Sequence, residues 1–142
     1  VDVTVALDAP HPASAVFPWI ADLSCYPSWL DIVRRAEADD TDAWLVDLRG
    51  RLGPLARSKR LRMVRTAHEP GQLVRFERAE LDGRSHSRWV LDASVEDVPD
   101  GSRLTVHLHY SGSLFGPVLE RVLGEEIERS RSKLLACVAD DL

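Results

Sequence analysis

Apolar and polar residues alternate through most of this chain, and the alternation gives way to a longer period only near its C-terminal end. Val1 to Leu7 puts Val3, Val5 and Leu7 on one face and Asp2, Thr4 and Ala6 on the other, the period-2 pattern of a half-buried strand. A short amphipathic stretch follows, Pro12 to Ala21, containing Phe17, Trp19 and Ile20. Roughly six further alternating runs come next. Asp39-Asp40-Thr41-Asp42, Glu69-Pro70-Gly71-Gln72, Asp82-Gly83 and Pro99-Asp100-Gly101-Ser102 separate strand-like runs with residues that favour tight turns. His11-Pro12 and Tyr26-Pro27 are expected to open two short helices, because proline suits a first helical turn. From about Phe115 to Val138, Leu119, Val122, Leu123, Ile127, Leu134 and Val138 recur at helical spacing. A helix of that length spans about 36 Å, enough to cross a curved sheet from end to end.

The turn positions also predict how the strands pair. A two-residue turn at Asp82-Gly83 sets Arg78 opposite Ser87, Phe76 opposite Trp89 and Val74 opposite Leu91. A turn at Pro99 to Gly101 brings Trp89 near Tyr110, Leu91 near Leu108 and Ala93 near Val106. Across Pro70-Gly71, Met63 falls near Arg78 and Arg65 near Phe76. Trp44, Val46 and Leu48 join the same face through Met63, Leu61 and Lys59. One face thus collects the apolar residues of five strands, which a slipped register would scatter. The opposite face holds Arg60, Arg62, Arg75, Glu77, Arg88, Asp92, His107 and His109, as an antiparallel sheet with one wet side requires.

The stretch Asp22-Leu23-Ser24-Cys25-Tyr26-Pro27-Ser28-Trp29 stands apart from this pattern. Its Asp-x-x-x-Tyr-Pro-x-Trp spacing, with Phe17 five residues upstream, resembles a mark of the bacterial cyclase/dehydrase branch of the START-like (SRPBCC) superfamily. That superfamily includes the birch-pollen allergen, polyketide cyclases and lipid-transfer proteins. The order of elements resembles it too, over nearly the whole chain. The resemblance implies an α+β helix-grip fold: a seven-stranded curved antiparallel sheet wrapped around a long C-terminal helix, two short helices after the first strand, and a cavity between sheet and helix. The short helices and the loop around Gly53-Pro54-Leu55 would then border its opening.

Composition narrows the partners. The 142 residues make a single domain, residues 1–142, able to bury a sizeable core. A net charge of −5 argues against nucleic acid or anionic lipid as the main partner. No apolar run approaches the ~20 residues of a membrane helix, and the N-terminus reads as strand rather than signal peptide. Cys25 and Cys137, at opposite ends of the chain and without metal-ligand spacing, fit a reduced cytoplasmic protein. His107-x-His109 points two imidazoles the same way, but arginines crowd that face and no third ligand has suitable spacing. No metal or cofactor is expected, and monomer and dimer both stay open.

An enzyme would need polar groups converging inside the apolar chamber. The inward face offers Arg65, Arg78, Ser87 and Tyr110 from the sheet, and Glu126 from the edge of the helical stripe. A buried Glu126 calls for Arg78 as partner or for a raised pKa, unless it turns to the rim. The expected ligand contacts are Trp29, Leu61, Met63, Phe76, Arg78, Ser87, Trp89, Leu91, Leu108, Tyr110, Leu119, Leu123 and Glu126.

Three functions fit. The first is binding or carriage of a hydrophobic small molecule (a lipid, isoprenoid or polyketide), which needs an almost wholly apolar chamber on the order of several hundred Å³. The second is implied by the resemblance to aromatase/cyclases: a cyclase, aromatase or dehydrase with Tyr110 as proton donor, Arg78 as enolate stabiliser and Glu126 as a further catalytic candidate. The third is a regulatory or interaction module with a collapsed cavity and an exposed apolar patch. No nucleophile elbow, Gly-rich phosphate loop or Cys–His pairing at family spacing occurs in the chain.

Overall fold

The computed structural model describes residues 2–49, 59–111 and 116–142. Its strands are β1 (Asp2–Ala9), β2 (Val33–Asp40), β3 (Ala43–Leu48), β4 (Lys59–Glu69), β5 (Leu73–Arg78), β6 (Trp89–Val98) and β7 (Gly101–Tyr110). From β2 onward each strand pairs with the next, and β1 returns to pair with β7. The order across the single antiparallel sheet is therefore β1-β7-β6-β5-β4-β3-β2. Period-2 alternation selects this arrangement because one face is buried and the other wet. In β1 the burial follows the sequence pattern residue by residue, with Val3, Val5, Leu7 and Ala9 inside.

Three of the four predicted registers hold. Trp89 pairs with Tyr110, Leu91 with Leu108 and Ala93 with Val106. Met63 pairs with Arg78 and Arg65 with Phe76, with a bulge beyond them at Thr66. Trp44 pairs with Met63, Val46 with Leu61 and Leu48 with Lys59. The β5–β6 register is corrected: Phe76 pairs with Leu91 and Val74 with Ala93, two residues from the predicted partners. Asp82-Gly83 is the tip of a longer connection, Ala79 to Arg88, rather than a two-residue hairpin. Asp82 shapes that connection by accepting from the Arg84 amide (2.9 Å) and from His86 Nε2 (2.8 Å). A shift of two preserves parity, so each side chain keeps its face. Trp89 is thereby displaced one step from Phe76, which packs edge-on against Tyr26 and Trp44 instead.

Cross-strand ion pairs cover the outer face. Asp47 lies directly opposite Arg60, Arg75 opposite Asp92 and Asp8 opposite Arg103, each with N···O contacts of 2.8–2.9 Å. Exposed pairs of this kind add little stability each, but like charges in a slipped register would oppose it. At the β6–β7 turn, Gly101 has φ +149°, and a Cβ there would sit 2.0 Å from the Ala9 carbonyl oxygen. Only glycine lets β1 close on β7 at that point.

Three short turns of helix follow β1: α1 (Ala13–Val16), α2 (Pro18–Ala21) and a 3-10 turn over Leu23–Ser28. Asp97 of β6 accepts from the Ala13 amide at 2.8 Å and so caps α1 from across the fold. Pro18, not Pro27, opens the second helix; Tyr26-Pro27 lies inside the 3-10 turn. The C-terminal helix is also not continuous. It divides into α3 (Gly116–Arg129) and α4 (Arg131–Asp140), with Ser130 at the bend. There the Ser130 hydroxyl donates back to the Ile127 carbonyl, and its amide is shared between the Glu126 and Ile127 carbonyls. Back-bonding of this sort bends helices. Leu123, Ile127, Leu134 and Val138 of the predicted stripe are buried against the sheet and the short helices.

Candidate functional site

The segment that stood out in the sequence builds the wall beside the chamber. Asp22 accepts from the Ser24 amide (2.8 Å) and caps the 3-10 turn. Two residues of that segment then bind back to the preceding helix. The Tyr26 hydroxyl donates to the Ile20 carbonyl and the Trp29 indole N–H to the Trp19 carbonyl, each over 2.9 Å. Tyr26 is fully buried, and burial holds its phenol above the ordinary range. Pro27 supplies no amide donor and adds none to a turn already tied at both sides. Arg65 completes the tie: it donates to the Ala21 carbonyl at 2.7 Å, pairs with Asp42 at 2.6 Å and lies over the Trp44 ring at 5.5 Å.

Between this wall, the sheet and α3 lies a cavity of about 60 Å³. The 3-10 turn and the chain after it contribute Leu23, Leu30, Ile32 and Val33. The strands contribute Val46, Leu48, Leu61, Met63, Trp89, Leu91, Val106 and Leu108, and α3 contributes Leu123 and Ile127. None of these side chains carries a charge or a hydroxyl. Trp89 brings the one polar atom, an indole nitrogen that is buried and has no hydrogen-bond partner among the described residues.

Polar groups gather at one end of the sheet. The Trp89 and Tyr110 rings lie 4.6 Å apart, and Lys59 Nζ stands 5.9 Å from the centroid of each. Loss of water, and then the nearby Arg78 guanidinium, push the Lys59 amine below its ordinary range. Arg78 itself is largely spent. Its Nε pairs with Glu80 at 3.1 Å, one terminal nitrogen donates to the Ser87 carbonyl (3.2 Å) and hydroxyl (3.1 Å), and the other lies 3.4 Å from His86 Nδ1.

The thirteen expected contacts divide accordingly. Leu61, Met63, Trp89, Leu91, Leu108 and Leu123 line the cavity. Arg78, Ser87 and Tyr110 stand at the polar end. Trp29 and Phe76 are fully buried in the aromatic cluster around Tyr26 and do not touch the cavity. Glu126 is buried but pairs with Arg129 one turn on, at 3.2 Å, and not with Arg78. The one pairing expected, Glu126 with Arg78, is thus replaced by two local ones, which need no chain crossing the chamber. The Leu119 side chain and the loop at Gly53-Pro54-Leu55 lie outside the described residues.

The sequence did not single out Lys59 or the second half of the lining. Parity marks Val46, Leu48, Lys59 and Val106 as inward, so their signal was present. Leu30 and Ile32 sit in an irregular segment with no periodicity to mark them. On the outer face, Asp2 Oδ1 meets His107 Nε2 at 3.1 Å and His109 Nδ1 at 3.0 Å. Among the described residues, no cluster of His, Cys, Asp or Glu is arranged to hold a metal ion.

A curved antiparallel sheet closing over a bent last helix, with an apolar cavity between, defines a helix-grip protein of the START-like superfamily. The chain belongs to the polyketide cyclase/dehydrase and lipid transport family, whose model matches residues 1–139. Among solved structures it is similar to a START superfamily protein from Mycobacterium smegmatis, at 17% identity and a TM-score of 0.71 over 100% of this chain and 98% of that one. It is similar to the Zhui aromatase/cyclase from Streptomyces sp. R1128, at 14% identity and a TM-score of 0.67, covering 98% of this chain and 92% of that one. A protein of Deinococcus radiodurans matches at 16% identity and a TM-score of 0.71, over 96% and 99% of the two chains. At such identities the likeness is one of fold. No curated protein matches the chain.

Proposed function

We propose that this protein binds and carries a hydrophobic small molecule between the sheet and α3, with the polar end of the ligand at Lys59, Arg78, Trp89 and Tyr110. The observation that carries this reading is the lining itself: fourteen side chains from three parts of the fold meet in one cavity without a charge or hydroxyl among them. Ligand sites are built this way, apolar throughout with a few polar groups at one end. A lipid, isoprenoid or polyketide with one polar or acidic group matches it. Two free thiols, Cys25 and Cys137, suit a reducing compartment such as the cytoplasm.

A volume of about 60 Å³ is far below the ~300–1,000 Å³ of small-molecule sites, so binding requires the lining to part. The bend at Ser130 lets α3 tilt without carrying α4, which is anchored by the buried Leu134 and Val138. The same small volume favours a second reading, an interaction module whose cavity stays closed. A cyclase, the other alternative, calls for polar groups converging inside the chamber, and the two strongest candidates, Arg78 and Glu126, are held in local pairs.

Met63 lines the cavity and is the single methionine of the sequence, so its methyl carbon is a clean reporter. Titration of methyl-labelled protein with dansylaminoundecanoic acid, a fluorescent apolar probe, should move the Met63 signal saturably at one equivalent. An unmoved Met63 signal with this and other apolar probes would establish the closed module instead. Native mass spectrometry of protein from its own host would then give the mass of any retained ligand.

A further inference from the structure

The chain carries sixteen arginines and only two lysines, Lys59 and Lys133, among its 18 cationic residues. Lys133 is half-exposed and paired with Asp31. Lys59 differs: it is half-buried, faces inward opposite Leu48, and has no carboxylate partner among the described residues. The charge it feels is a like charge, Arg78, and desolvation together with that charge depresses its basicity. Among the described residues no carboxylate offsets this placement, and the amine faces only the rings of Trp89 and Tyr110. A second uncompensated group adjoins it, the Trp89 indole N–H, buried in a residue only 3% exposed.

Both groups are hydrogen-bond donors, and Lys59 Nζ lies 5.9 Å from the centroid of the Trp89 ring, as it does from that of Tyr110. The amine and the indole N–H therefore border the same end of the chamber, where the two oxygens of one carboxylate can each accept a hydrogen bond. The Glu80 carboxylate is turned to other partners, its Oε1 accepting from Arg78 and from the Arg62 amide. Arg78, with every guanidinium nitrogen engaged, positions the end of the chamber rather than reaching into it.

We infer that Lys59 and the indole N–H of Trp89 together form the head-group site for a carboxylate at the end of an otherwise apolar ligand. This rests on the binding function proposed above and names the ligand class: long-chain or polycyclic carboxylic acids rather than their esters, alcohols or hydrocarbons. The tail occupies the space between Leu61, Met63, Leu108 and Leu123, and the acid group cancels the two unmatched donors.

The test compares dansylaminoundecanoic acid with its methyl ester at neutral pH, using fluorescence titration. Wild type should bind the acid about tenfold to hundredfold tighter, the range for a hydrogen bond to a charged group. Lys59→Met should bring the acid down to the affinity of the ester while leaving the ester unchanged, and Lys59→Arg should recover part of the preference. Trp89→Phe keeps an aromatic ring and removes the donor, so it should lower acid affinity by a smaller factor. In ¹⁵N-labelled protein the Trp89 indole resonance should move downfield with the acid and not with the ester. A preference that persists in Lys59→Met overturns the inference, as does one lost in Arg78→Met alone. Equal binding of acid and ester by wild type also overturns it while leaving the apolar site standing. Absence of binding by both would remove the binding function itself.

Discussion

The Tyr26 hydroxyl donates to the carbonyl oxygen of Ile20, six residues back, across a fully buried 2.9 Å contact. With the parallel bond from Trp29 to Trp19, it turns the most recognisable segment of the chain into a clamp on α2. These aromatic residues stand next to the chamber and are not among the side chains that line it. Tyr26→Phe leaves the Ile20 carbonyl buried without that donor, which should cost about 1–3 kcal/mol in urea unfolding. Probe affinity should not change. A loss of binding with unchanged stability would mean that the clamp has been misjudged and that Tyr26 contacts ligand.

Trp89 should matter to both stability and binding. It is buried against Tyr110 and lines the cavity, so Trp89→Ala should cost about 3–5 kcal/mol, the usual range for deletion of a core aromatic. A loss below about 1 kcal/mol in equilibrium urea melts would show that the ring is not part of the packed core.

Lys59 should be a residue that the fold tolerates rather than gains from. Its folded-state pKa lies below the ordinary 10.5, so the folded protein holds this proton less tightly than the unfolded chain does. The penalty is therefore full at neutral pH, where both states are charged. It fades as pH rises from the folded value toward 10.5 and is gone above that. Lys59→Met should melt at a higher temperature than wild type at pH 7, and the gap should narrow at pH 10 and above. A mutant less stable than wild type at pH 7 would mean that the amine has a stabilising partner.

His107 and His109 should retain no metal. Each imidazole is turned toward Asp2, which accepts from His109 and His107 and is held below the ordinary carboxylate range by those hydrogen bonds. Elemental analysis of zinc-saturated, desalted protein should find well under one equivalent. One tightly held equivalent, lost in His107→Ala, would reverse this.

The sequence by itself determined the sheet, its faces and most of its pairing, because side-chain parity and turn chemistry are local properties. Val3, Val5 and Leu7, or Trp44, Val46 and Leu48, declare their side without reference to anything distant. Local signals could not determine the length of the Ala79 to Arg88 connection, since Asp82-Gly83 fits a tight hairpin as well as the tip of a longer loop held by Asp82 and His86. Nor could they show that Ser130 bends the last helix, because a single serine at helical spacing is compatible with either outcome. The polar partners were decided by tertiary structure alone. Arg78 and Glu126 both face the chamber by spacing, yet each finds a nearer partner, Glu80 and Arg129, and neither crosses the cavity. Among the described residues Lys59 has no carboxylate partner and the Trp89 indole no acceptor, and the two meet only because the curved sheet brings the start of β4 against the start of β6. That proximity depends on how far the sheet coils, which alternation along one strand does not encode.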